Sequence, residues 1–265
     1  MNYSLIDTHC HLDIIESQGQ DIATSLEKSS SAGVKKIVQI GINLDRSIAA
    51  RKIALETKTN IELSYTIGCH PADNIDLPEI EDISKFIEEN KDETSFVGIG
   101  EIGLDYYHKT ETKESQIKTF HHFMEMSVKY ALPVIIHSRD AAEDTYQILK
   151  KYKDKAFGVI HCFTYDTEYA LKYAELGYYI SFSGVVAFKN AADIQEAARK
   201  VPLESILIET DAPFLSPPPH RGKRNDSSNL PFILEKMFSL RTEANHKVEE
   251  KIYENSVKFI HRKAV

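Results

Sequence analysis

The stretch LPVIIH, residues 132–137, is an almost unbroken apolar run that ends in a histidine. A strand with one face in water would alternate apolar and polar residues, whereas this run is apolar at consecutive positions. Such continuity is typical of a strand that is covered on both faces, as in a parallel sheet surrounded by helices. The stretch therefore predicts a buried parallel strand with a polar side chain at its carboxyl end.

Runs of the same kind recur along the whole chain. Besides residues 132–137, they occupy residues 4–9, 35–42, 63–70, 96–101, 157–161, 178–184 and 205–211. Segments with helical spacing lie between them, so strand and helix alternate eight times. This alternation predicts an α/β fold with a parallel sheet, and eight units are the number that a (β/α)8 TIM barrel needs. An open doubly wound sheet is the alternative.

The longest helical pattern follows the fourth run. Ile117, Phe120, Met124, Val128 and Ala131 recur at the spacing of a single helix face. An apolar face of this kind packs against the sheet that the helix crosses. We therefore predict that these five residues form the buried face of one crossover helix.

The composition indicates one globular domain over residues 1–265. Hydrophobic residues make up 42% and charged residues 27%, and the net charge is −8. No apolar stretch approaches the roughly 20 residues that span a bilayer, and no secretion signal opens the chain, so we expect no membrane partner and a cytoplasmic protein. The three cysteines, Cys10, Cys69 and Cys162, form no CxxC and no disulfide framework. The acidic balance argues against a broad electrostatic hold on duplex nucleic acid but leaves room for a local basic patch.

The carboxyl ends of six predicted strands carry residues of metal-ligand type. These residues are His9, His11, His70, Glu101, His137, His161 and Asp211. In IDTHCHLD, residues 6–13, the first two histidines are two positions apart and therefore leave the same face of a strand. Each residue alone has an ordinary structural explanation, but barrel enzymes keep their chemistry at this end of the strands. The coincidence predicts a metal centre.

Apart from His220 of the basic loop, five histidines fall outside these strand ends and serve as a comparison. They are His108, His121, His122, His246 and His261, and we expect them to be exposed or packed without a role in the centre.

The ligand types narrow the choice of metal and the number of ions. Imidazole and carboxylate without thiolate suit Zn, Mn, Fe or Co, and carboxylate-rich sites suit Mg. Five or six ligands exceed what one tetrahedral ion with an open position requires. We therefore predict two divalent ions as cofactors, with Glu101 placed to bridge them.

Residues near the predicted centre indicate the substrate. A long loop, SPPPHRGKRNDSSN over residues 216–229, follows the last strand and precedes helices within residues 230–262. It carries a positive cluster that includes Arg221 and Arg224, and Arg139 follows His137 by two positions. Arginine matches phosphate oxygens, so this rim predicts a phosphodiester substrate. The adjacent tyrosines at 106 and 107 could stack a base or pack the rim.

Seven blocks of the chain resemble the TatD-type metal-dependent deoxyribonucleases, in the order of that family and over nearly the whole chain. They are DTHCHLD (7–13), GCHP (68–71), GEIGLDYY (100–107), PVIIHSRDA (133–141), HCFT (161–164), ETDAPFL (209–215) and PHRGKRN (219–225). The resemblance implies a TIM-barrel metallohydrolase, akin to the amidohydrolases, that cleaves DNA as a 3′→5′ exonuclease. One departure is the pair Asp226 and Ser227, where the family usually has Glu-Pro, so the shape of the substrate loop is less well defined than the metal site.

The resemblance also implies roles for individual residues. The metal ligands would be His9, His11, Glu101, His137, His161 and Asp211. His70 would lie near the scissile phosphate, and Arg139 and Arg221 would lie on the substrate rim; the basic loop adds Arg224 as a further substrate-binding residue. As partner we expect DNA, as single strands or 3′ ends, and a monomeric protein.

These expectations combine into one mechanism with two alternatives. A metal-activated water would attack phosphorus in line, Asp211 would take or orient its proton, and Glu101 and His70 would complete the catalytic set. Another metallohydrolase reaction, such as aminoacyl-tRNA deacylation or small-molecule amidohydrolase chemistry, is the first alternative, because a fold does not define a reaction. A catalytically silent nucleic-acid-binding barrel is the second, and an intact ligand set disfavours it.

Overall fold

Eight parallel strands lie side by side in their order along the chain, each paired with the next. The structure is a computed structural model that describes residues 3–73, 77–109 and 112–261. The strands are β1 (Leu5–Cys10), β2 (Val34–Gln39), β3 (Glu62–Ile67), β4 (Phe96–Asp105), β5 (Val134–Arg139), β6 (Gly158–Ile160), β7 (Tyr179–Phe182) and β8 (Ile206–Ile208). The predicted parallel arrangement is confirmed.

The first and last strands meet through hydrogen bonds near their carboxyl ends. The backbone N–H of Asp211 donates to His9 O at 3.0 Å, and the N–H of His11 donates to Ala212 O at 2.8 Å. The buried carboxylate of Asp7 accepts from both the backbone N–H and the hydroxyl of Thr210. These bonds join the two ends of the sheet, so the TIM barrel is confirmed over the open sheet.

Helices surround the barrel. They are α1 (Leu12–Ser17), α2 (Ile22–Ser31), α3 (Leu44–Glu56), α4 (Leu77–Asn90), α5 (Lys113–Tyr130), α6 (Ala142–Lys151), α7 (Thr167–Glu175), α8 (Ala192–Lys200), α9 (Leu230–Leu240) and α10 (Asn245–His261). The last two agree with the helices predicted after the loop, although residue 262 lies outside the described ranges. Within those ranges, no helix is long and apolar enough to cross a membrane.

The predicted buried face of α5 is partly wrong. Phe120 and Met124 are buried, but Val128 is exposed, and Gln116 and Ser127 are buried in addition to Phe123. The polar side chains can be buried because they have partners: Gln116 bonds the backbone of Asp105, and the Ser127 hydroxyl donates to Leu132 O. A pattern of apolar residues alone cannot identify such positions.

A small apolar cluster shows how the strands direct side chains inward. It contains Ile6, Val38, Ile40, Val97, Ile135, Val159 and Leu207, together with Phe259 and Ile260 of α10. Side chains two residues apart on a strand share a face, so the residues at 137 and 161 share a face with Ile135 and Val159. The apolar cluster therefore occupies the amino-terminal part of the barrel, and the polar residues face the same interior nearer the carboxyl ends.

Candidate metal centre

His9 and His11 begin the site at the carboxyl end of β1. Both side chains are buried, and their Nε2 atoms are 3.2 Å apart. Asp211, three residues after β8, places Oδ1 3.6 Å from Nε2 of His9 and 3.7 Å from Nε2 of His11. The contact between the first and last strands thus brings together residues that are about 200 positions apart in the sequence.

Glu101 lies at the centre of the site but not at the end of its strand. The sequence predicts that the strand ends at Glu101, whereas β4 continues to Asp105. An irregularity in the pairing of β4 with β5 falls between Ile99 and Ile102. Gly68 permits the close approach of β3, because a Cβ there would lie 2.2 Å from the backbone nitrogen of Glu101.

The two carboxylate oxygens of Glu101 face different imidazoles. Oε2 lies 3.5 Å from Nε2 of His9. Oε1 lies 2.8 Å from Nδ1 of His137 and 2.7 Å from Nε2 of His161, and these two nitrogens are 3.3 Å apart. Glu101 therefore stands between one group of donor atoms from β1 and β8 and another from β5 and β6.

The separations among these atoms suit a metal ion. Zinc bonds to nitrogen and oxygen are about 2.0–2.2 Å long, so two ligands of a tetrahedral ion are about 3.3–3.6 Å apart. The nearest atoms of His9, His11 and Asp211 are 3.2–3.7 Å apart, and Oε2 of Glu101 lies 3.5 Å from Nε2 of His9. The buried clusters could thus hold a metal ion, while the roles of single residues remain predictions.

His70 follows β3 and presents a different nitrogen chemistry. Its Nδ1 accepts a hydrogen bond from the backbone N–H of Ala72 at 3.1 Å. Burial lowers the pKa of His70 to about 3, so the ring is neutral and its proton lies on Nε2. That nitrogen lies 3.5 Å from Oε1 of Glu101. In the metal-free protein His70 is therefore arranged as a hydrogen-bond donor into the site, and with Glu101 and His137 it forms a cluster that could hold a metal ion.

Burial and neighbouring charges shift the pKa values of Glu101 and His161 in opposite directions. Burial by itself would raise the pKa of Glu101, but the neighbouring His161 cation and the hydrogen bond from His137 hold it well below its usual value. Burial would likewise lower the pKa of His161, but the charge of Glu101 raises it well above its usual value. In the metal-free protein the two residues therefore form a buried ion pair.

This pair predicts how metal binding depends on pH. A raised pKa in the folded state means that the stabilisation is complete below the unfolded value of about 6.5 and is lost as the pH rises through the folded value. A metal ion must displace the proton of His161, so metal affinity should rise as the pH increases from the unfolded to the folded pKa of this imidazole. We expect Zn²⁺ to raise the melting temperature more in mildly alkaline than in mildly acidic buffer, as measured by thermal unfolding with and without the ion. An equal rise at both pH values would contradict the ion pair.

Two buried carboxylates near the centre were not among the predicted site residues. Glu209 accepts at 2.6 Å from both the backbone N–H of Cys162 and the hydroxyl of Ser181, and its Oε1 lies 3.4 Å from Nδ1 of His161. Glu209 therefore lies against His161, and with His9 and His161 it forms one of the buried clusters that could hold a metal ion. Its position two residues before Asp211, on the same strand face, is the signal that could have revealed it.

Asp105 is the second missed carboxylate, and it changes the interpretation of one comparison histidine. Its Oδ2 accepts from Nε2 of His137 at 3.1 Å and from Nδ1 of His108 at 2.8 Å. The expectation that His108 has no connection to the centre is therefore wrong. The other comparison histidines lie in helices, where His121 contacts Tyr152 and His122 contacts Ser84.

The predicted substrate residues are exposed, and two of them stack on aromatic rings. The guanidinium carbon of Arg139 lies 4.0 Å from the ring centre of Tyr107, and that of Arg221 lies 3.9 Å from the ring centre of Phe188. Arg224 donates to the carbonyl of Gln18 at 3.2 Å.

The aromatic residues divide into packed and exposed ones. Tyr106 donates its hydroxyl to Asp144, whereas Tyr107 is 61% exposed. Sequence reasoning missed Phe214, which is 46% exposed and whose ring centre lies 6.2 Å from that of His11. Of the two tyrosines, Tyr106 is partly buried and Tyr107 is exposed.

Comparison with known proteins agrees with this arrangement. Residues 6–261 match the family model described as TatD related DNase. YcfH of Escherichia coli strain K12, named an uncharacterized metal-dependent hydrolase, is 37% identical over 260 residues, which cover 97% of this chain and 96% of that protein. YabD of Bacillus subtilis, with the same description, is 38% identical over 239 residues, which cover 89% of this chain and 91% of that protein.

The fold has a close structural counterpart. The crystal structure of YJJV, a TatD homologue from Escherichia coli K12, superposes with a TM-score of 0.91 and 26% identity, covering 99% of this chain and 100% of that one. The family match over nearly the whole chain, the relatives above 30% identity and the buried clusters of histidine and carboxylate show that this protein is a metal-dependent hydrolase that belongs to the family of TatD-related DNases.

Proposed function

We propose that this protein hydrolyses phosphodiester bonds of DNA with two divalent ions, as an exonuclease that digests single strands from the 3′ end. The observation that carries the proposal is the division of donor atoms around Glu101. One ion would be held by His9, His11, Asp211 and Oε2 of Glu101, and the other by His137, His161 and Oε1 of Glu101. When bound, such ions make water more acidic and neutralise charge on a phosphate.

The chain's own residues would orient the water and the phosphate. Burial would raise the pKa of Asp211, but its hydrogen bond with His11 and the cationic rings nearby keep the pKa below the ordinary value. Asp211 is therefore a carboxylate at neutral pH. It can accept a hydrogen bond from the attacking water, and in this way Asp211 would orient the water and take its proton. His70 would donate its Nε2 proton to a phosphate oxygen, where negative charge grows as the bond breaks.

The exposed rim supports DNA as the substrate. Stacking uses the faces of the Arg139 and Arg221 guanidinium groups, while their N–H bonds lie in the guanidinium plane and can reach phosphate oxygens. The exposed rings of Tyr107 and Phe214 can stack unpaired bases. A protein with a net charge of −8 repels the dense phosphates of a duplex, which favours a single strand at this local patch.

The test is digestion of single-stranded DNA that is labelled separately at each end, after the metal has been removed and again after it has been restored. We expect stepwise release of mononucleotides from the 3′ end only in the presence of metal. Reversing a rim charge with Arg221→Glu should raise KM about tenfold with little change in kcat, which corresponds to about 1.4 kcal/mol of binding. Lys58→Glu is a matched control, because Lys58 precedes β3 at the opposite end of the barrel.

Intact DNA with every metal tried would contradict the nuclease proposal. Turnover of an ester or amide substrate by the same metal-loaded protein would then identify the alternative metallohydrolase reaction. Equal KM values for Arg221→Glu and Lys58→Glu would show that the rim does not bind the substrate.

A further inference from the structure

Asp105 is a fully buried carboxylate that touches the metal centre without belonging to the predicted ligands. It lies at the end of β4, four residues after Glu101. One of its oxygens, Oδ2, accepts hydrogen bonds from the imidazoles of His137 and His108, and the other accepts from the backbone N–H of His108 at 2.8 Å. The backbone N–H of His108 is a donor whatever the state of the rings, and an ionised Asp105 can accept all three contacts.

His137 is held differently from the other imidazoles of the centre. His9, His11 and His161 direct Nε2 toward the neighbouring donor atoms, whereas His137 directs Nδ1. Within the described residues, Nδ1 of His9, of His11 and of His161 has no hydrogen-bond partner of good geometry. Among these four imidazoles, His137 is the one whose outer nitrogen makes a hydrogen bond of good geometry with a carboxylate.

The position of Asp105 is itself held from α5. The side-chain oxygen of Gln116 accepts from the backbone N–H of Asp105 at 2.7 Å, and its amide nitrogen donates to Asp105 O at 3.0 Å. This double contact explains why α5 buries a glutamine on its inner face. The carboxylate therefore has little freedom to move away from His137.

We propose that Asp105 is a positioning residue that keeps the proton of His137 on Nε2 and so presents the Nδ1 lone pair to the second ion. The inference rests on the proposed role of His137 as a ligand. A carboxylate behind a ligating histidine orients the ring and selects its tautomer. Without that bond, the proton of the neutral ring can move to Nδ1, and the ring can also turn about its Cβ–Cγ bond.

An asparagine at this position cannot replace the carboxylate. If its oxygen faced the two imidazoles, its NH₂ group would face the backbone N–H of His108, and two donors would oppose each other. If its NH₂ group faced His137 instead, Nε2 would have to accept, and the proton would move to Nδ1. Asp105→Asn therefore either strains the turn or selects the tautomer that cannot bind an ion through Nδ1.

The first experiment reads the tautomer of His137 directly in the unmutated protein. The chain is labelled with ¹⁵N-histidine and loaded with Zn²⁺, because in the metal-free protein Nδ1 of His137 faces the carboxylate of Glu101; His137→Gln assigns the signal. We expect a proton on Nε2 and a metal-bound Nδ1 without a proton. A proton on Nδ1 would overturn the proposal, and this measurement does not depend on whether any variant folds.

The second experiment measures Zn²⁺ affinity by competition with a chelator. We expect Asp105→Asn to weaken the affinity of one ion about 10- to 100-fold, in the range found for residues that support metal ligands. Asp144→Asn is the matched control, because Asp144 is likewise a carboxylate with two side-chain partners, but these are the hydroxyl of Tyr106 and the ammonium of Lys113 instead of His137. Unchanged affinity in folded Asp105→Asn would overturn the proposal.

His108→Ala tests whether weaker Zn²⁺ affinity comes from a change in the tautomer of His137 or from disruption of the turn around Asp105. It removes one donor from Oδ2 of Asp105 but leaves the bond from His137, so we expect less than about a threefold change in affinity, below the effect of Asp105→Asn. A loss as large as that of Asp105→Asn would assign the effect to the turn and overturn the proposal. If His137→Ala bound as many ions as the unmutated protein, the ligand role of His137 would be wrong, whatever the tautomer result.

Discussion

Glu101→Gln is expected to abolish turnover while leaving the barrel folded. The substitution keeps the shape of the side chain but removes the charge that faces His9 on one side and His137 and His161 on the other. An amide offers one oxygen instead of two, so it cannot join two ions. Loss of several kcal/mol of charge stabilisation corresponds to a fall in kcat of at least about 10³-fold.

The same variant should lose bound metal as well as activity. We expect at most one Zn²⁺ per chain by elemental analysis of dialysed protein, compared with two for the unmutated protein. Glu93→Gln is a suitable control, because it neutralises a partly buried carboxylate that pairs with Arg51 away from the centre. Two ions per chain together with full turnover in Glu101→Gln would refute the bridging role. The alanine variant at this position should be equally inactive.

Asp211→Asn should produce the second-largest loss, about 10³-fold in kcat, because in the proposed mechanism it removes the carboxylate that would receive the proton of the attacking water. The choice of asparagine follows from the backbone. Asp211 has φ 55°, in the left-handed region that asparagine tolerates better than most residues. The side chain is also near Nε2 of both His9 and His11, so metal affinity should fall with activity.

Comparison with Asp211→Ala separates the chemical role from the backbone role. Both variants should be inactive, but alanine pays about 1 kcal/mol for a left-handed conformation, so only its melting temperature should fall clearly. Turnover measured at saturating metal shows whether affinity alone explains the loss. Activity above about a tenth of the unmutated rate for Asp211→Asn under those conditions would exclude Asp211 as the proton acceptor.

The barrel and the residues of the centre could be predicted because both correspond to regular patterns of apolar and polar residues in the sequence. A strand that is covered on both faces is apolar at consecutive positions, as in residues 134–136. Within a strand, the side chains of residues i and i+2 point to the same face. His137 and His161 therefore follow directly from Ile135 and Val159. The histidine pair of IDTHCHLD obeys the same rule.

The positions of Glu101, Gln116 and His108 depend on tertiary contacts that no regular pattern in the sequence indicates. Glu101 lies within β4 rather than at its end, since the irregular pairing with β5 and the close approach of Gly68 direct it inward. A search for apolar periodicity assigns Gln116 to the surface, but Gln116 is buried because it forms hydrogen bonds with the backbone of Asp105. His108 was set aside as unconnected because only the folded turn brings it to Asp105.

The order of strands and helices, the barrel and the set of residues at its mouth can be predicted from the sequence, because these follow from local periodicity and from the common direction of parallel strands. Three features are visible only in the folded barrel: the imidazole that each oxygen of Glu101 faces, the nitrogen of His70 and of His137 that points into the site, and the buried carboxylates that lie behind these imidazoles. The reason is physical: the direction of a hydrogen bond and the position of a proton depend on partners that are distant in sequence and meet only when the barrel closes.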